Sequence, residues 1–138
     1  MPELSEKVLL SQPEQGPEIS LMSFSFCHSV PLDADIVVDA RFLNDPHDDL
    51  ALRNKTGLDE DVGAYIKEDN GFEGFLTKFK NQIKRQFLRC SQEGKSNLKV
   101  AVGCAGGQHR SVFTVETLRK WTEEQGVHVR AKHRDMPK

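Results

Sequence analysis

One run constrains this chain more than any other: Leu98-Lys99-Val100-Ala101-Val102-Gly103-Cys104-Ala105-Gly106-Gly107-Gln108-His109-Arg110-Ser111. Its first half is short and apolar, which predicts a buried strand. Its middle is a tight glycine loop. From Ser111 onward Val112, Val115, Leu118 and then Trp121 return at helical spacing, ending near Gly126. Strand, glycine turn and helix in direct succession form the repeating unit of a parallel α/β sheet. In that unit the loop's N–H groups and the positive end of the helix dipole face outward together, which makes an anion site. Glycines at 106 and 107 let the backbone approach a ligand without a Cβ in the way. Arg110 supplies a forked, permanently charged donor set, Ser111 a hydroxyl, and His109 a proton-dependent donor. A phosphate is the natural occupant. The loop is not a Walker A motif, because the Gly-x-x-x-x-Gly-Lys-Ser/Thr spacing is absent.

The other segments fit the same fold class. Ile19–Phe26 alternates apolar and small polar residues and predicts a strand. Val30-Pro31-Leu32-Asp33 is a turn. Asp35–Phe42 is rich in β-branched residues and predicts a second, buried strand. The polar stretch Leu43–Thr56 follows it directly, the position where α/β proteins keep ligand contacts. Asp59 is a candidate cap for a helix over Glu60–Lys67. Phe72, Phe75, Leu76, Phe79, Ile83, Phe87 and Leu88 form one apolar stripe at helical period, and Gly94 suits its C-terminal cap. Val127–Ala131 predicts a fourth strand. The expected architecture is α/β: a mostly parallel sheet of about four strands with helical, right-handed crossovers. Residues 1–18 hold three prolines, one glycine and four glutamates and read as a loose leader, with a short helix at Ser5–Leu10 as the alternative. Residues 19–138 form one domain.

Charge narrows the function. The formal total is −2, but residues 1–93 carry a net −7 and residues 94–138 a net +5. The basic share therefore surrounds the glycine loop and the last strand, where an anion belongs. Arg119, Lys120, Arg130, Lys132, Arg134 and Lys138 form a candidate phosphate-backbone patch, with Lys120, Arg130 and Lys132 as the expected RNA contacts. With one Trp and one Tyr in the chain, no stacking platform for reading single-stranded bases is expected. RNA contact would draw on charge and shape, summed over a homo-oligomer. No stretch has the length of a membrane span, the start lacks the features of a signal peptide, and Cys27, Cys90 and Cys104 fit no disulfide framework. A cytoplasmic protein is expected. Asp45, His47, Asp48 and Asp49 lack the spacing of a metal site, and neither metal nor cofactor is expected.

The loop also carries a rival reading. Cys104-x-x-Gly107-x-x-Arg110-Ser111 matches the spacing of the cysteine phosphatases, in which a thiolate attacks phosphorus while loop amides and the arginine hold the phosphoryl oxygens. Cys104 and Arg110 would be the catalytic residues. Gly103 stands where those enzymes usually carry histidine, and an aspartate acid would have to come from residues 39–49. A third reading is an RNA or protein interaction module with no small-molecule ligand.

Several stretches, in order, resemble the RapZ C-terminal domain family, the RNase adapter proteins. They are Ser23-Phe24-Ser25-Phe26, the run from Asp33 to His47, Thr56-Gly57-Leu58-Asp59, Gly94-Lys95-Ser96, the run from Gly103 to Ser111, and His133-Arg134-Asp135. The resemblance covers roughly residues 19–138. It implies a regulatory binding domain rather than an enzyme, similar in fold to a sugar-phosphate-binding subdomain of phosphofructokinase. The implied ligand is an amino-sugar phosphate or a nucleotide-like anion, and small RNAs are the implied partners. By this carry-over Gly106, Gly107, Gln108, His109 and Arg110 hold the phosphorylated ligand. Arg41 and His47 reach the same cleft, and His133 and Arg134 come from the last strand end. The family's N-terminal ATPase domain, with its Walker A loop, is not expected here. Ala105 replaces a usual threonine and Cys27 a usual basic residue.

Overall fold

A computed structural model describes residues 17–137. The expected leader over 1–18 and its alternative helix lie almost wholly outside the described residues. The elements in chain order are β1 (Glu18–Ser25), β2 (Ile36–Asp39), a short 3-10 turn (Pro46–Asp48), α1 (Glu60–Lys67), α2 (Phe72–Gln92), β3 (Asn97–Cys104), α3 (Arg110–Glu124) and β4 (Val129–His133). The strands form a single sheet in the order β2-β3-β1-β4. Every pairing is parallel, so the sheet is wholly rather than mostly parallel.

Topology decides where the helices go. The β2-to-β3 crossover through α1 and α2 and the β3-to-β4 crossover through α3 step in the same direction across the sheet. Right-handed connections then place all three helices on one face. The side chains sort accordingly. Ile19 and Leu21 of β1, Ile36 and Val38 of β2, and Leu98, Val100, Val102 and Cys104 of β3 are buried in one core with Val115 and Leu118 of α3. Alternation sends Ser20, Met22, Lys99 and Ala101 to the other face, where they line a cavity with Pro31 and Ala34 of the β1–β2 connection.

The phenylalanine stripe packs as its period requires. Phe72, Phe75, Leu76, Ile83 and Phe87 are buried. The Phe72 ring lies 5.5 Å from that of Phe113 on α3, and the Phe75 ring 5.1 Å from that of Phe79. Gly94 has φ +72 just past the end of α2, the left-handed conformation of a C-terminal glycine cap.

Three strand boundaries and one helix cap differ from the sequence pattern, each for a local reason. β1 opens at Glu18, one residue early, because its N–H pairs with the Ser96 carbonyl. β2 stops at Asp39, because the Asp39 carboxylate accepts the Arg41 N–H and turns the chain. Asp59 does not cap α1 with its side chain; its carboxylate accepts the Thr56 N–H instead, at 2.9 Å. β4 runs Val129–His133 rather than Val127–Ala131. Gly126, at φ +79, and the Val127 N–H bond to Thr122 spend that first stretch on closing α3.

Candidate functional site

β3 delivers the chain to the loop and α3 takes it away. The loop's course is set by its contacts with three neighbouring segments. The Ser25 hydroxyl at the end of β1 donates to the Ala105 carbonyl at 2.6 Å. Gly107 has φ +67, and a Cβ there would stand 3.0 Å from Ser25 N and 3.1 Å from Phe24 C. Its glycine is required both by conformation and by the close passage of β1. Asp135 closes that side, accepting the Ser25 N–H at 2.7 Å. From the other side the Gly57 N–H donates to the Gln108 carbonyl at 2.9 Å. The Gln108 side-chain amide donates to the carbonyls of Arg53 and Lys55. Gly106 is different: a Cβ there would meet nothing within 4 Å.

The result is a cavity of about 270 Å³ lined by Asp45, His47, Cys104, Ala105, Gly106, Gln108, His109 and Arg110. It lies at the carboxyl ends of the strands, the usual ligand crevice of an open α/β sheet. α3 begins at its floor with no side-chain cap and no acidic residue in its first turn. The helix end thus directs its positive pole at the cavity, and no acidic residue of its own first turn neutralises it.

Three side chains decide the electrostatics. Arg110 is buried. Its Nη1 donates to the carbonyls of Arg41 and Leu43, and its Nη2 donates to Asp45 Oδ2 at 3.2 Å. Its Nε is buried without a hydrogen-bond partner. His109 is also buried, and burial pushes its pKa below the ordinary 6.5 although the Asp45 charge and the carbonyls of 52–55 pull the other way. It is therefore neutral at pH 7. Cys104 is buried beneath the loop. Its thiol donates to the Ser111 hydroxyl at 3.1 Å and accepts the Ser111 N–H at 3.4 Å. The phosphatase spacing is present, but the Arg110 donors that are engaged go to residues 41–45.

The expected site residues divide into two groups. His47, Gly106, Gln108, His109 and Arg110 line the cavity, and Gly107 and Ser111 shape it from behind. Arg41 contributes its carbonyl to Arg110, while its guanidinium pairs with Asp39 at 2.8 Å and lies 4.0 Å over the Phe26 ring. His133 lies elsewhere, between β1 and α3. Its Nδ1 is 2.8 Å from Ser23 Oγ and its Nε2 is 2.8 Å from Glu116 Oε2. Burial opposes ionisation of Glu116, but the hydrogen bonds from Arg119 and His133 outweigh it and hold the carboxyl below its usual range. Arg134 clamps the Ser29 carbonyl and Asp135. Lys120 sits on α3 beside α1, whereas Arg130 and Lys132 line the cavity on the opposite sheet face. Those three do not share a surface.

Sequence reasoning passed over Asp45 as an arginine partner, and over Ser25, Gly57 and Asp135 as loop supports. Their partners lie between 51 and 110 residues away in the chain, so no local pattern could announce them.

Residues 17–137 match the family model described as the RapZ C-terminal domain. The chain belongs to the RapZ C-terminal domain family. A nucleotide-binding protein of Rhodospirillum centenum is 42% identical over 118 residues, covering 86% of this chain and 36% of that protein. One of Thermotoga petrophila is 42% identical over 123 residues, covering 89% and 44%. One of Bacillus thuringiensis is 41% identical over 140 residues, covering 99% and 47%. The chain thus spans less than half the length of these relatives. The matched RapZ domain takes in the whole sheet, its three helices and every residue of the cavity wall. Among the described residues no helix is long and apolar enough to cross a membrane.

Proposed function

We propose that this domain is a regulatory binding module for a phosphorylated small molecule, held in the cavity between the Cys104–Ser111 loop and the Asp45–His47 turn. The observation that carries the reading is the unpartnered, buried Arg110 Nε beside an uncapped helix N-terminus. Buried donors are nearly always satisfied, and both groups favour negative charge. The phosphate would lie against the bare Gly106 backbone and the start of α3. Asp45 and His47 on the opposite wall would accept and donate hydrogen bonds to hydroxyl or amino groups, as an amino-sugar phosphate would offer. The cavity, at about 270 Å³, is near the small end of ligand sites and favours one compact sugar phosphate over a dinucleotide. The relatives' description as nucleotide-binding proteins supports a phosphorylated ligand as a class.

Thermal shift and calorimetry against a panel of sugar phosphates and mononucleotides test this. A ligand at one hundred times its Kd should add about 2.7 kcal/mol of stability. That gain should vanish in Arg110→Gln and in Gly106→Val, the second of which fills the cavity without touching a hydrogen bond. No stabilisation of the unmodified domain by any phosphomonoester sinks the reading.

A further inference from the structure

Arg110 stands where an anion would be read, yet its engaged donors belong to the protein. The side chain is 7% exposed, and its carboxylate partner Asp45 is 31% exposed. One guanidinium holds the Arg41 and Leu43 carbonyls and the Asp45 carboxylate together. Asp45 Oδ1 in turn accepts the His47 N–H at 3.0 Å. His47, Cys104 and His109 share the cavity wall with this cluster; burial lowers the His109 pKa and keeps that ring neutral at pH 7, and Asp39 feels the Arg110 charge from a distance. Asp45 is therefore a carboxylate on the wall of a cavity otherwise built for negative charge.

We propose that Asp45 is an internal rival for the anion, setting both the selectivity of the cavity and its coupling to residues 41–47. The inference rests on the phosphate-site reading above. A bare tetrahedral anion entering the cavity meets the Asp45 charge and must compete with it for Nη2. A phosphorylated ligand that also brings an O–H or N–H donor meets the same carboxylate with a hydrogen bond. Asp45 thus disfavours inorganic phosphate and sulfate relative to ligands carrying such donors. When Asp45 yields Nη2, the arginine's grip on the turn that carries His47 changes with it, so that occupancy is communicated to the loop after β2.

Asp45→Asn separates charge from position, because the amide keeps an oxygen that can accept from Nη2. Calorimetry with inorganic phosphate, run on the unmodified domain, Asp45→Asn and Asp45→Ala, is the test. Asp45→Asn should bind phosphate about tenfold more tightly, the discounted effect of removing one part-exposed charge a few ångströms away. The preference for an amine-bearing phosphomonoester over inorganic phosphate should shrink by a similar factor. Asp45→Ala should also tighten phosphate binding; weaker binding there, with Asp45→Asn unchanged, would make Asp45 only a support for Arg110. If the unmodified domain binds phosphate and Asp45→Asn binds it no better, the rivalry is wrong and the phosphate site stands. If all three are folded by circular dichroism and none binds phosphate or any phosphomonoester, both readings fall.

Discussion

Gly57 lies directly under His109: a Cβ at residue 57 would come within 2.4 Å of the His109 carbonyl oxygen and 2.5 Å of Phe113 N. Both are backbone atoms at the turn into α3 and cannot swing aside. The Thr56–Gly57 segment is thus the platform on which the far end of the loop rests.

Gly57→Ala should accordingly cost about 2 kcal/mol, in the range of overpacked sites, and should weaken phosphate binding by displacing residues 108–110. Gly106→Ala is the control. With nothing within 4 Å of its Cβ, it should change stability by less than about 0.5 kcal/mol and act on binding alone. Urea denaturation of the two variants should separate them; equal midpoints would refute the packing argument.

His109 makes stability depend on pH in a defined direction. Its folded pKa is lowered from 6.5, so the unfolded chain binds a proton more readily than the folded one. The stability it provides is fully present above about pH 6.5 and is lost as pH falls from there through the folded pKa. Melting temperature should fall over that window, and His109→Gln should flatten this part of the profile. An unchanged slope in the variant would show that another group is responsible.

His133 links three elements through two hydrogen bonds, to Ser23 on β1 and to Glu116 on α3. Ser23 is fully buried and would lose its partner in His133→Ala. At about 1 kcal/mol per bond, the substitution should cost roughly 2 kcal/mol in chemical denaturation. Phosphate affinity should stay near that of the unmodified domain, since His133 is not on the cavity wall. A large loss of affinity with little loss of stability would give His133 the ligand role that the family resemblance implied.

Phe72 is 1% exposed and joins α2 to Phe113 of α3. Phe72→Ala should cost about 3–5 kcal/mol, as for other buried aromatic truncations. A value under 1 kcal/mol, read from denaturant midpoints, would mean that the α2–α3 contact is not part of the cooperative core.

The fold class and the β-loop-α unit that lines the candidate cavity were legible in the sequence because both are local. Strand Leu98–Cys104, glycines at 106 and 107 and a helical stripe from Ser111 specify a β-loop-α unit whatever the rest of the chain does. The Phe72–Leu88 stripe likewise announces its own helix and its buried side. Parallel pairing followed from the crossovers, as right-handed connections leave few alternatives. The division of the chain into a −7 and a +5 portion pointed to the end that carries the candidate cavity, but it treated Arg130 and Lys132 as neighbours of Lys120, whereas they line a cavity on the other sheet face.

Pairings between distant residues were decided only by the tertiary structure. The sequence shows Arg110 as a donor aimed at a ligand. Folding brings residues 41–45 against it, and two carbonyls accept from its Nη1 and the Asp45 carboxylate from its Nη2, while Nε stays bare. His133, expected in the cleft, is a part-buried strut between β1 and α3 at the end of β4. Such outcomes depend on which backbone and side-chain groups meet when the sheet and helices pack, and a buried donor or acceptor must then find whatever partner the packing supplies. The chain's own residues determined that a glycine loop would join β3 to the start of α3; the packing of residues 41–57 against that loop determined which of its donors are already engaged by the protein.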